Sequence, residues 1–322
     1  MARKQLIRAL PAEWPVTISQ ATNGQEALAA LRQGLGQVML LDLTMPVLDG
    51  YETLAAMRAE GLACKVVVVS GDVQDEAVRR VKELGALAFI KKPADPETLR
   101  STLLELGLFD PKATPTAVAQ AAVLDELKVN FRDALREVTN VAMGRAAALL
   151  AKVLGVFVQL PVPQVNIFEV SELHMTLTDA MRGERLSAVC QGFIGDGIAG
   201  EALLLFHDSE VADMAKLLGW QPKDDTQTSE MLLDLASILT GACLAGIAEQ
   251  IDVRFSQGHP QLLGQHSSIE RLIHLNQRRW RKTLAIEVSY SLEAHSIHFD
   301  LLLLFTEDSI KRLTNKLNYL MN

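Results

Sequence analysis

The run Val38-Met-Leu-Leu-Asp42-Leu-Thr-Met-Pro-Val-Leu-Asp49-Gly50 decides the fold of the first third of the chain. Its four leading residues are apolar without alternation, the pattern of a strand covered by helices on both faces. An aspartate closes the run, and a helical pattern follows over about 50–60. The same order returns twice downstream. Lys65 to Val69 is an apolar run closed by Ser70 and Gly71, and Ala86 to Ile90 is closed by Lys92 and Pro93. Helical patterns near 24–33, 74–84 and 96–106 alternate with these runs. Residues up to about Leu108 are therefore expected to form a doubly wound α/β domain on a parallel sheet.

In such a sheet the strands end on one edge, where open α/β folds place their ligand sites. Asp42, Ser70 and Lys92 are thus expected to converge. A carboxylate beside a hydroxyl and an ammonium suits attack on phosphorus, with Asp42 as nucleophile and phosphoacceptor and with Ser70 and Lys92 stabilising phosphoryl oxygens. Taken singly, each residue reads as a strand-end cap or a solvated charge. The three in register carry the functional reading.

After Leu108 the pattern changes. Asp110 to Ala117, with Pro111 and Pro115, reads as a short linker; a long helical stretch follows to about Leu154, then a mixed α/β region. That region holds a weak internal repeat. Leu203-Leu-Leu-Phe206 and Leu302-Leu-Leu-Phe305, each followed by a helix, are 99 residues apart, while Asn140 with Ser237 and Pro163 with Pro260 are 97 apart. Two anchors at nearly one offset point to a duplicated unit of long helix, strands and closing helix, in one pseudo-symmetric α+β domain. On the first long helix Asp133, Glu137 and Asn140 are spaced i, i+4, i+7 and share a face. The second copy places Glu230, Asp234 and Ser237 at the same spacing. Asp234 is one methylene shorter than glutamate and Ser237 does not reach as far as asparagine, so the second copy reads as structural.

Composition bounds the rest. Hydrophobic residues make up 49% of the 322 and charged residues 22%, a globular balance. The net charge of −8 gives no general attraction to nucleic acid or to an anionic membrane. The basic run Arg278 to Lys282 reads as a solvated hairpin. No apolar stretch runs uninterrupted for the ~18 residues of a membrane span. Cys64, Cys190 and Cys243 are scattered and odd in number, as expected of small buried side chains in a reducing compartment, and the chain is expected to be cytoplasmic. The histidines show no metal-ligand spacing.

Asp42-x3-Pro46-x2-Asp49-Gly50, Ser70, Lys92-Pro93 and Ala21-Thr-Asn-Gly-Gln-Glu-Ala-Leu28 resemble the receiver domain of bacterial response regulators, the CheY-like family, over about residues 1–108. The resemblance places Phe89 at the aromatic switch position. It implies a sheet order of 2-1-3-4-5, a Mg²⁺ site that includes Asp42, and a histidine kinase as phosphodonor. Receivers open with a strand that ends in an acidic pair; here Met1 to Leu6 already reads as the following helix. The missing strand would lie between strands near Val16–Gln20 and Val38–Leu41, and each unpaired buried backbone group costs ~1–3 kcal/mol. The expectation is that the true start lies upstream. Without the pair, Asp42 and a backbone carbonyl are too few ligands for Mg²⁺.

Asp133-x3-Glu137-x2-Asn140-x22-Pro163 resembles the signature of the CheC, CheX and FliY response-regulator phosphatases, over about residues 120–322. The resemblance implies that Asn140 positions water on the acyl phosphate of a phosphorylated CheY-type regulator and that Glu137 contacts that regulator's lysine. The expected organisation is a receiver at 1–108, a linker at 109–121 and a phosphatase domain at 122–322. Two other readings stay open: a non-enzymatic scaffold of the flagellar-switch type, and an adaptor governed by Asp42.

Overall fold

The computed structural model describes residues 1–111, 129–169, 185–267 and 282–321. The chain divides into two compact units between Asp133 and Ala134. The expected linker lies outside the described residues from 112 onward, as does the basic run up to Arg281.

The first unit contains α1 (Ala2–Ala9), α2 (Gly24–Arg32), β1 (Val38–Leu41), α3 (Gly50–Glu60), β2 (Lys65–Ser70), α4 (Asp75–Glu83), β3 (Ala88–Lys91) and α5 (Pro96–Glu105). The three strands form a parallel sheet in the order β1-β2-β3. The valine run of β2 shows why the sheet is covered twice. Val66 and Val68 join a core with Leu28, Leu41, Leu54 and Met57, whereas Val67 and Val69 join another with Ile90, Leu99, Leu103 and Phe109. Successive side chains point to opposite faces, so an unbroken apolar strand needs two apolar layers.

The expected strand at Val16–Gln20 is not formed. A strand exists through its ladder, and among the described residues β1 pairs on one side only, with β2. Residues 16–20 have no described strand to join.

The second unit is an antiparallel-sheet domain. Its first half runs α6 (Phe131–Leu154), β4 (Val158–Gln159), β5 (Gln164–Glu169), β6 (Leu186–Gly195), β7 (Ile198–His207) and α7 (Asp208–Leu217). Its second half repeats that order in α8 (Asp225–Ile251), β8 (Ser256–Gln257), β9 (Gln261–Ser267), β10 (Lys282–Leu292), β11 (His298–Thr306) and α9 (Glu307–Met321). The duplication read from the sequence is thus a duplication of structure. Its local twofold is visible in the register: Leu203 of β7 lies opposite Leu302 of β11, its own repeat equivalent. The halves also exchange strands, with β5 pairing β10 and β9 pairing β6. Pro163 and Pro260 stand just before β5 and β9, where a missing N–H costs no ladder bond.

The two long helices meet closely. A Cβ on Gly246 of α8 would lie 2.8 Å from the Ala142 Cα of α6, so only glycine permits this approach. Gly241 on the same helix has open surroundings instead, its nearest neighbour being Gln257 Oε1 at 3.7 Å. Helix α8 is long and apolar enough to span a bilayer by composition. Its Leu232, Leu235, Leu239, Cys243 and Ile247 are nevertheless buried in the unit's core.

Candidate functional site

In the first unit the strand ends assemble as the parallel order requires. Asp42 follows β1, Ser70 closes β2 and Lys92 follows β3. Lys92 Nζ donates to Asp42 Oδ2 at 2.6 Å, with the two side chains only 4% and 16% exposed. The Lys92 amide donates to the Ser70 carbonyl at 2.9 Å, which locks the neighbouring strand ends together. Asp49 and Gly50 earn their places locally. Asp49 accepts from the Glu52 amide while Glu52 accepts from the Asp49 amide, a capping box that starts α3. A Cβ on Gly50 would lie 2.4 Å from the Asp42 carbonyl oxygen, so glycine lets α3 begin directly beneath the loop that follows β1. Phe89 is half-buried on β3 against the core of Leu41, Val66 and Val68.

Sequence reasoning missed Asp72. It is 4% exposed, and its Oδ1 accepts from the Gln74 amide (3.2 Å) and Gln74 Nε2 (3.0 Å). Its Oδ2 accepts from the Tyr51 hydroxyl at 3.2 Å, and its amide donates to Ser70 Oγ at 3.1 Å. Burial pushes the Asp72 carboxyl upward, and burial followed by the charge of Asp72 pushes the Tyr51 phenol upward. The Ser70 hydroxyl is therefore held by the loop that follows β2. A polar residue two positions past a buried strand end was the available signal.

Receiver domains as a class hold Mg²⁺ at the acceptor carboxylate. The donor set here does not fit it. Asp42 Oδ2 is engaged by Lys92, Asp49 caps α3 and Asp72 is bound by Gln74 and Tyr51. Among the described residues no three histidine, cysteine or carboxylate side chains gather as a metal site.

In the second unit, α6 begins with the Asn130 side chain accepting from the Asp133 amide at 2.9 Å. Asp133 and Glu137 are half-buried. Asn140 was expected on an outward face and is instead 5% exposed; its Oδ1 has no hydrogen-bond partner among the described residues. The face closes toward its C-terminal end, since Gly144 and Ala147 are buried as well. Behind it, α8 grips the helix: Gln250 Nε2 donates to the Val138 carbonyl at 2.9 Å, and Arg145 pairs with Glu249. The second copy differs in exposure. Glu230 and Asp234 are exposed on α8 and Ser237 is half-buried.

The family model for the response regulator receiver domain matches residues 1–104. Residues 1–104 form a receiver domain. The receiver is 30% identical over 110 residues to the probable C4-dicarboxylate response regulator DctR of Priestia megaterium, an alignment covering 34% of this chain and 48% of that protein. A protein-glutamate methylesterase/protein-glutamine glutaminase of Halalkalibacterium halodurans is 29% identical over 197 residues, 58% of this chain and 55% of that one. The chain thus spans about half the length of these curated relatives. Beyond the receiver, similar solved structures include FliY of Thermotoga maritima (TM-score 0.45, 16% identity, 60% of this chain and 98% of that one). CheX of Vibrio vulnificus also matches (TM-score 0.38, 15% identity, 52% and 99%).

Proposed function

We propose that the second unit hydrolyses the phospho-aspartate of a CheY-type response regulator in the cytoplasm, with Asn140 orienting water and Glu137 engaging the regulator's lysine. The observation that carries this reading is the unpartnered Asn140 Oδ1 on the same helical face as Glu137. A buried acceptor left unsatisfied costs stability, so its presence needs an explanation, and a role in catalysis is one. An amide suits the task because its oxygen accepts from water while its nitrogen donates elsewhere. Phosphoryl transfer gains mainly from positioning and charge stabilisation, so two side chains brought to a partner's own site suffice without a nucleophile. Since Asn140 is covered, turnover requires its face to open. The receiver, charged at Asp42 by a histidine kinase with Ser70 and Lys92 on the phosphoryl oxygens, is the regulatory input. Its own phospho-aspartate is a second candidate substrate.

The burial of Asn140 favours one other reading, a scaffold that binds regulators without hydrolysing them. The deciding experiment follows phosphate release from an acetyl-phosphate-labelled CheY-type regulator. Acceleration that falls on the order of 10²-fold in Asn140→Ala supports the enzyme. Binding with unchanged release supports the scaffold. Repeating both with Asp42→Asn measures control by the receiver.

A further inference from the structure

Tyr51, the second residue of α3, ties that helix to the loop after β2. Gly50 seats the start of the helix against the Asp42 carbonyl, where a Cβ would lie only 2.4 Å away, so the backbone at Asp42 sets the position of Tyr51. From there the Tyr51 hydroxyl donates to Asp72 Oδ2 at 3.2 Å. The other carboxylate oxygen accepts from the Gln74 amide and from Gln74 Nε2. The two Gln74 bonds are local and suffice to close the turn. The bond from Tyr51 crosses 21 positions and joins the two segments that flank the strand-end cluster. A buried carboxylate held at both oxygens cannot turn, and it fixes the backbone that carries it. That backbone reaches Ser70, because the Asp72 amide donates to Ser70 Oγ at 3.1 Å. A hydroxyl oxygen that accepts one N–H keeps its own hydrogen for another acceptor, so the direction in which Ser70 donates is chosen at Asp72.

We propose that Tyr51 is a positioning residue for the strand-end site, fixing the Ser70 hydroxyl through Asp72 so that it donates to a phosphoryl oxygen on Asp42. The inference rests on the reading of Asp42 as phosphoacceptor and Ser70 as a phosphoryl-stabilising donor, and it adds the residue that aims that donor. Tyr51 touches no reacting atom. Its effect is to remove rotamer freedom at Ser70 before phosphate arrives, which preorganises a donor toward developing charge. Two properties of the side chain suit the task. Its ring packs against the core of Leu41, Leu54 and Val68, which holds the hydroxyl at a fixed reach. Burial, then the charge of Asp72, pushes the phenol upward, so it stays a donor at every ordinary pH. Phenylalanine would keep the ring and remove only the bond.

The test uses the full chain in two measurements. Hydrogen exchange reads the link itself. Tyr51→Phe should speed exchange of the Asp72 amide roughly tenfold and leave the amides of β2 as in wild type. Unchanged exchange at Asp72 would overturn the inference, and so would faster exchange throughout β2, which would make Tyr51 a core residue only. Labelling with acetyl phosphate reads the consequence. In that step an Asp42 oxygen bonds to phosphorus while the bond to acetate breaks, and acetate leaves with the electron pair. Tyr51→Phe and Asp72→Asn should each slow labelling about fivefold, and the two together no more than either one. In a Ser70→Ala background Tyr51→Phe should change nothing further. Equal slowing with and without the Ser70 hydroxyl would overturn the inference, because a structural role adds in both backgrounds. No labelling of wild type, with the exchange pattern intact, would sink Asp42 as acceptor and leave the hold of Tyr51 on Ser70 standing.

Discussion

Asn140 and Tyr290 pose the same energetic question with opposite answers. Each buries a polar atom without a partner among the described residues, Asn140 Oδ1 on α6 and the Tyr290 hydroxyl on β10. Tyr290 is fully buried and stacked on Phe299, with ring centroids 5.3 Å apart, and burial, then the neighbouring Cys243, drives its phenol pKa far upward. Burial also pushes the Cys243 thiol up to about 12. Removing only the oxygen keeps the stack and ends the desolvation cost, so Tyr290→Phe should stabilise the second unit by about 1 kcal/mol. A urea midpoint that fell instead would reveal a hidden partner. Asn140→Ala should likewise leave stability within about 1 kcal/mol of wild type while abolishing accelerated phosphate release. Loss of both together would mark a structural residue.

His266 supplies a pH dependence. It sits at φ 51° at the end of β9, with Nδ1 2.7 Å from Asp208 Oδ2 and Nε2 3.9 Å from Asp225 Oδ1. The hydrogen bond to Asp208, then its charge, then Asp225, raise the imidazole pKa. A raised folded value means protonation favours the native state. The contribution is complete below the unfolded value of about 6.5 and disappears as pH rises through the folded value. His266→Gln should therefore cost stability at about pH 5.5 and nothing at about pH 9. Equal costs at both pH values, by chemical denaturation, would remove the ion pair from the explanation.

At the scale of elements, the receiver's strands were legible because parallel β runs covered on both faces leave an unmistakable apolar signature. Val66 to Val69 announce β2, and the edge where Asp42, Ser70 and Lys92 meet follows from strand direction alone. The segment 16–20 was not legible in the same way, because strand formation depends on a neighbour and not on its own composition. The packing of α6 on α8 was also out of reach of periodicity. Gly241 and Gly246 look alike in sequence, but only Gly246 meets a facing backbone. Gly246→Ala should destabilise the second unit by about 1–3 kcal/mol, and Gly241→Ala should be neutral or slightly stabilising. Thermal midpoints of the two variants decide this directly, and equal shifts would contradict the close approach at Ala142.

For the whole second unit, the exchanged strands set the cooperativity. Because β5 is completed by β10 and β9 by β6, each half lends an outer strand to the other. Residues 129–220 and 221–322 expressed apart should show no cooperative unfolding, and mixing them should restore it. A folded isolated half would refute the exchange. The repeat itself could be read from two offsets in the amino-acid order, since duplicated apolar anchors and prolines survive as text. Amino-acid order alone also determined the receiver, the strand edge that gathers Asp42, Ser70 and Lys92, and the helical spacing of Glu137 and Asn140, all of which are consequences of local periodicity. Only the tertiary structure decided that Asn140 is covered while Asp234 is open, that Asp72 holds the Ser70 hydroxyl, and that the halves trade strands. Exposure and partnership depend on what packs against a residue from far away in the chain, and no local pattern carries that information.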